Sequence, residues 1–393
     1  MSTNGSLTVL VVAACPFPLA RGTPVRILRL SEALAARGHD VHVVTYPLGE
    51  AYDPDTLEIH RTRRVPTYRR TSPGPSVQKL LVLDPLVSRK IQSVLSDREV
   101  DVIHAHHYEG LLAALWPARR RQVPVVYDAH TLLASELPTY GFPVPGGLMR
   151  RVGRAIDRSL PRRAAHVIAV TDTIRDKLIE SGLSADSVTV ASDGVEDEFF
   201  LPLDPPGGDA DPGRTPETVV YAGNLAPYQR VDLLLDAFRS VAARRPAARL
   251  RLLTASSFDR FEERARRLGI RDRIDIEAVA VPDLAVALKA ATVAVSPRVD
   301  CDGIPLKLLN YMAVARPVVA FAGSGPILRH EETGVLVPDN NVAAFADALV
   351  GILEDPVRAA RIGLAGRRFA EQNHRWSGIA EITEDVFRRV LAQ

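Results

Sequence analysis

The chain has 393 residues, enough for two domains, and 46% of them are apolar, enough to fill large cores. Lys and Arg number 49 against 47 Asp and Glu, a net charge of +2 that argues against a dedicated nucleic-acid binder. The two cysteines, Cys15 and Cys301, lie far apart in sequence, which excludes a disulfide framework and points to a reducing cytoplasm.

The opening MSTNGSLTVLVVAACPF has no basic leader and only a short apolar run, so it reads as a first buried strand and not a signal peptide. Leu7–Ala14 is that strand. Ile27–Arg37 follows with apolar residues at helical spacing, stopped by Gly38. Val41–Tyr46, Val100–His106, Pro124–His130 and His166–Thr171 read as further strands, each followed by a helix or loop. Leu203–Glu217 is rich in Pro, Gly and Asp and cannot bury a core, so it reads as a linker. The alternation then restarts, with strands at Thr218–Gly223, Ala248–Ala255, Arg273–Ala278, Thr292–Pro297 and Pro317–Phe321. Ser377–Leu391 is one amphipathic helix. This pattern predicts an α/β fold of two Rossmann-like, doubly wound parallel-sheet domains facing a cleft. The expected boundaries are 1–202, a linker over 203–217, 218–376, and a C-terminal helix over 377–393. No apolar run reaches the roughly 18 residues of a membrane span. The expectation is a cytoplasmic protein, soluble or peripheral at the inner membrane face.

In such sheets, ligands bind beyond the carboxyl ends of the strands, and four segments lie there. Pro16–Leu30 joins the first strand to the first helix. Pro16 and Pro18 stiffen it, Gly22 permits a tight turn, and Arg26 sits one helical turn in, near any anion at the helix start. Tyr127–Pro138 ends a strand with Asp128 and His130. Glu109 follows the preceding strand and can reach the cleft. His104, His106, His107 and His130 superficially suggest a metal. Neighbours on a strand face opposite sides, so His106 and His107 should not point together, and no metal is expected. Val220–Phe238 is a strand, a Gly223 turn and a helix, carrying Asn224, Gln229 and Arg230. Asp300–Ala320 (DCDGIPLKLLNYMAVARPVVA) is an acidic loop with Gly303 and Ile304, a helix start bearing Lys307 and Asn310, and a buried strand. A helix N-terminus of this kind holds phosphates.

The stretch from Asp300 to Ala320 resembles the signature of the retaining glycosyltransferases of family 4, and the resemblance runs from the first loop to the last helix. It implies the GT-B arrangement, with an acceptor domain followed by a domain for a nucleotide-diphosphate sugar such as a UDP- or GDP-sugar. It also implies that the last helix crosses back onto the first domain. The implied reaction is metal-independent sugar transfer with retention, with the leaving phosphate taking the acceptor proton. No cofactor is implied beyond the sugar donor.

Matched residue by residue, His130 stands at the family's strand-end histidine, which contacts donor sugar and acceptor. Arg26 and Glu109 fall on the acceptor side. Gly22 belongs to the first loop, where the family often has two adjacent glycines and this chain has Gly22–Thr23. Asp193, in Ser192–Phe200, replaces the Asn of a turn closing the first domain. Gly323–Asn341 fits a Gly-rich turn ahead of a helix.

The signature itself is altered. Asp302 takes the place of its first Glu and Asn310 of its second, with Gly303 and Ile304 offering N–H groups near the phosphates. The family's Arg and Lys, which neutralise the diphosphate, are Asn224 and Gln229 here. Amides can hydrogen-bond phosphate but cannot cancel its charge. Lys307, helped by Arg230, is therefore expected to supply the cation. The expected acceptor is a hydroxyl of a glycolipid, a polysaccharide or a small natural product. A lipid-linked acceptor agrees with two basic clusters that suit an anionic membrane surface: Arg61, Arg63, Arg64, Arg69, Arg70 and Lys79, then Arg150, Arg151, Arg154, Arg158, Arg162 and Arg163. The losses also leave open a non-catalytic nucleotide-sugar-binding subunit. A nucleotide-sugar epimerase is a weaker rival, because its expected carboxylate and histidine set is not evident in this chain.

Overall fold

The computed structural model describes residues 5–19, 22–52, 57–69, 78–140, 144–203, 217–299 and 304–393. The chain divides into two compact units, Met1–Asp193 with Trp376–Gln393, and Gly194–Arg375.

The first unit holds β1 (Thr8–Ala13), β2 (Asp40–Thr45), β3 (Glu58–Arg61), β4 (Val102–His106), β5 (Val125–Ala129), β6 (His166–Ala169) and β7 (Val188–Val190). They form one sheet in the order β3-β2-β1-β4-β5-β6-β7, with every pair parallel. The chain's progression reverses direction at β1/β4, a switch point where loops diverge and leave room for a ligand. Strand alternation explains the two-sided core. Leu10 and Val12 pack one face with Ile103, Ala105 and Tyr127. Val9, Val11 and Ala13 pack the other with Val43, Val102 and Val126. The second face is covered by two helices, Gly22–Ala36 through Ile27, Leu30 and Leu34, and Trp376–Leu391 through Ile379, Ala380 and Phe387.

The second unit holds β8 (Thr218–Ala222), β9 (Arg249–Leu253), β10 (Ile274–Glu277), β11 (Val293–Ser296), β12 (Val318–Phe321) and β13 (Val335–Val337). The order is β10-β9-β8-β11-β12-β13, again all parallel, with the switch point at β8/β11. Val219 and Tyr221 face one core and Val220 and Ala222 the other.

Two features depart from the sequence reading. Strands β3, β7 and β13 were not expected; β3 is a sheet edge whose Glu58, His60 and Arg61 give it no apolar run. The second unit begins at Gly194, ahead of the expected boundary at 202, because Val195 and Phe199 bury themselves in its core beside Val220 and Leu288. Most of the expected linker, residues 204–216, lies outside the described residues.

Candidate active site

In the first unit the carboxyl ends of β4 and β5 carry a buried polar cluster around Asp128. Arg26 grips this carboxylate in bidentate fashion, Nε to Oδ1 at 3.2 Å and Nη2 to Oδ2 at 3.0 Å. Its remaining N–H groups reach Asp193 Oδ1 at 3.2 Å and the carbonyls of Ala191 and Ser192 at 2.8 and 2.6 Å. Arg26 is 1% exposed and its whole fork is engaged inside the unit. This corrects the reading of Arg26 as an anion- or acceptor-facing residue. It ties the first helix to β5 and to the turn at Asp193.

Asp128 also meets His104 Nε2 at 3.2 Å and His130 Nε2 at 3.3 Å. Burial alone would raise its pKa, but Arg26 and the imidazoles around it outweigh burial and hold the carboxyl well below the usual range. His130 lies directly after β5, buried, with Nε2 3.0 Å from His106 Nδ1. Burial, and then the neighbouring His107, push its pKa well below the ordinary value, so the ring is neutral at pH 7. An ionised Asp128 beside Nε2 favours the proton on that nitrogen, which leaves Nδ1 as an acceptor.

His106 and His107 do point together. β4 ends at His106, and His107 takes a left-handed φ of 60° as its helix starts. That turn breaks the strand alternation and stacks the His107 ring on His130, centroids 4.4 Å apart and planes 18° from parallel. Thr23 Oγ1 meets His107 Nε2 at 2.8 Å, joining the first helix to this stack. Gly22 opens that helix at φ 47°. Ligand atoms of His104, His106 and Asp128 approach within metal-binding range of one another. Arg26 already occupies both oxygens of Asp128, and its charge opposes a cation there. Glu109 is half-buried in the first turn of the helix His107–Arg121. Its charge, behind burial as the main cause, helps push Asp84 up to about 7.

In the second unit a second cluster sits at the carboxyl end of β8. Gly223 has a φ of 132°, and a Cβ there would stand 2.9 Å from Lys307 Nζ, so the glycine makes room for the ammonium. Lys307 comes from the first turn of the helix Leu306–Ala313 and donates to Gln229 Oε1 at 3.0 Å. Its Nζ also lies 4.0 Å over the ring of Tyr221. Tyr311 in the same helix accepts from the Ala222 N–H at 2.7 Å, which fixes the helix against β8. Ile304 is buried just ahead of this helix and Asn310 is half-buried within it. Asp302 and Gly303 lie outside the described residues.

Asn224 bonds its own loop. Its Oδ1 accepts from Ala226 N at 3.1 Å and its Nδ2 donates to Tyr228 Oη at 3.0 Å. Above the Tyr228 ring, 52% exposed, stands the guanidinium of Arg298, 5.2 Å from the centroid. Arg298 follows β11 and was not singled out from the sequence. A basic residue just past a strand's carboxyl end was the signal available. Arg230 departs from its expected role. Its side chain pairs with Asp232 at 3.3 Å and bonds Asn340 at 3.0 Å, so its charge is balanced locally.

The chain matches the family model for Glycosyltransferase Family 4 over residues 20–199 and that for Glycosyl transferases group 1 over residues 216–355. The two models together cover most of the chain, which is a glycosyltransferase. This glycosyltransferase is 28% identical to a D-inositol 3-phosphate glycosyltransferase of Kineococcus radiotolerans, over 95% of the chain and 91% of the relative. It is 27% identical to a phosphatidyl-myo-inositol mannosyltransferase of Mycobacterium leprae, over 96% of each. Its fold matches the crystal structure of Anabaena HepE in complex with UDP, with a TM-score of 0.73, 16% identity, and coverage of 98% of the chain and 100% of that structure. The two parallel-sheet domains are those of the GT-B glycosyltransferases. Within this enzyme the β8 loop offers amides at Asn224 and Gln229, and the cations beside them come from other elements, Lys307 and Arg298.

Proposed function

We propose that this glycosyltransferase moves a sugar from a nucleotide-diphosphate sugar to a hydroxyl acceptor with retention at the anomeric carbon. The observation that carries the reading is Lys307 Nζ, held 3.0 Å from Gln229 at the carboxyl end of β8. A diphosphate gains charge as it leaves, and a fixed cation stabilises that charge without reorganising. Lys307 and Arg298 supply it from the protein, which supports a metal-independent reaction. His130, neutral and oriented by Asp128, offers a hydrogen bond to the sugar or acceptor. The leaving phosphate takes the acceptor proton, so no protein base is needed.

HepE was crystallised with UDP, which puts UDP-sugars first among the donors to test. The names of the two relatives put inositol 3-phosphate and phosphatidylinositol first among the acceptors. Among the described residues no helix is long and apolar enough to cross a membrane. The helix Gly146–Ser159 exposes Arg150, Arg151, Arg154 and Arg158, which supports peripheral docking on an anionic surface.

A thermal-shift screen against UDP-, GDP-, ADP- and dTDP-sugars identifies the donor, because ligand binding stabilises the folded state. Incubation of that donor with the acceptor panel, followed by NMR of the anomeric proton, then tests transfer and its stereochemistry. Binding without transfer or hydrolysis would instead indicate a nucleotide-sugar-binding subunit, and an inverted anomer would sink the retaining mechanism.

A further inference from the structure

Away from the strand ends, β2 and β3 carry another set of ligating side chains. Asp40 and His42 alternate on β2, and Glu58 and His60 alternate on β3. The parallel register sets His42 beside Glu58 and Val44 beside His60. Period-two alternation brings all four polar residues to one face of the sheet edge. His42 lies three positions before Thr45, set back from the carboxyl end of its strand.

Three ligating side chains converge there. His42 Nδ1 is 3.3 Å from His60 Nε2 and 3.4 Å from Glu58 Oε2, and His60 Nε2 is 3.6 Å from Glu58 Oε1. A tetrahedral zinc ion bound at about 2.0–2.1 Å holds neighbouring ligand atoms about 3.3 Å apart. On the far side of its ring, His42 Nε2 lies 3.1 Å from Asp40 Oδ2. A carboxylate at that position keeps the proton on Nε2 and leaves the Nδ1 lone pair facing the cluster. Asp40 thus orients His42 as outer carboxylates orient metal-binding histidines.

Glu58 Oε2 also accepts from Arg98 Nη2 at 2.6 Å, which leaves Oε1 to face His60. The side chain of His42 is 1% exposed, that of His60 17% and that of Glu58 48%, so an ion can enter from solvent. In the His104, His106 and Asp128 group Arg26 holds both carboxylate oxygens, whereas Arg98 holds only Oε2 of Glu58.

We propose that His42, Glu58 and His60 bind a divalent ion of the zinc type, with water as the fourth ligand, and that this ion staples edge strand β3 to β2. Two imidazoles and one carboxylate form a donor set that zinc favours. Without an ion the same contacts reduce to a hydrogen bond between imidazoles, and the two cases are separable.

The test uses the full chain, stripped with a chelator, dialysed against Zn2+ and analysed for metal by mass spectrometry. One equivalent is expected, with a rise in Tm on adding Zn2+. His60→Gln and Glu58→Gln should lose both, while their metal-free Tm stays near that of the metal-free parent. Co2+ in place of Zn2+ should give the absorption of a tetrahedral ion, lost in His60→Gln. Asp40→Asn, at an exposed side chain, should weaken Zn2+ binding about 10- to 100-fold. Should His60→Gln fold poorly, Asp40→Asn carries the test alone. Failure of the parent to retain Zn2+ overturns the proposal. So does an unchanged Zn2+ equivalent in His60→Gln, or unchanged affinity in Asp40→Asn.

Discussion

Lys307→Met removes one charge and little else. Methionine keeps an unbranched apolar chain over the Tyr221 ring, where Nζ now lies 4.0 Å from the centroid. The change deprives Gln229 Oε1 of its 3.0 Å partner, a loss of about 1 kcal/mol in local stability. The effect on catalysis is larger. A phosphate oxygen meeting the ammonium gains about 1.5–3 kcal/mol as a charged hydrogen bond. A unit charge about 4 Å away at an effective dielectric of about 20 gives about 4 kcal/mol. A loss of about 2–4 kcal/mol of transition-state stabilisation lowers kcat/KM about 30- to 900-fold. Negative charge grows on the diphosphate as the bond breaks, so kcat should carry more of the loss than KM. Initial rates over a range of donor concentration at pH 7.5, with thermal unfolding as the folding control, measure this. A correctly folded variant within threefold of the parent in both kcat and KM would refute the assignment of the cation to Lys307.

If the guanidinium over Tyr228 meets the outer phosphate of the proposed donor, Arg298→Ala should weaken UDP about tenfold by calorimetry and leave UMP almost unchanged; equal losses for both ligands would contradict it. Asp128→Asn should destabilise the protein by about 3–5 kcal/mol in urea unfolding, since it leaves Arg26 buried and one carboxylate short. Glu384 is held at about 2: burial would raise it, but hydrogen bonds from Arg37, Arg388 and His39 outweigh burial. A depressed carboxyl contributes stability above its unfolded pKa of about 4.3 and loses it as pH falls through the folded value. Glu384→Gln should therefore lower Tm at pH 6, and its difference from the parent should shrink as pH falls from about 4.3 toward 2. A difference constant across that range would contradict the linkage.

Much of the fold was legible because apolar runs alternate with helical periodicity, and a parallel sheet covered on both faces needs that pattern. The three strands that were not read, β3, β7 and β13, have three or four residues each, and β3 mixes charge into every other position. Lys307 and His130 were legible as residues at a helix start and a strand end. The burial of Arg26 was not, because its partners Asp128 and Asp193 lie 102 and 167 residues away. His107 escaped for a different reason: strand alternation stops where a residue other than glycine turns left-handed, and nothing in the HAHHYEG run marks that turn. Arg298 lies over an aromatic ring supplied by the loop after another strand, a pairing that the β8–β11 adjacency creates.

The helix Trp376–Leu391 has a consequence for the order in which this protein is made. It fills the same core as Ile27 and Leu30, yet the ribosome delivers it after the whole of Gly194–Arg375. During synthesis the part of that face which the helix Gly22–Ala36 does not cover waits with apolar residues exposed until Phe387 emerges. The second domain has its own sheet and core already available by then. Contacts so distant in sequence slow folding. A nascent chain stalled before Trp376 should therefore present a folded second domain beside a sticky, incomplete first one.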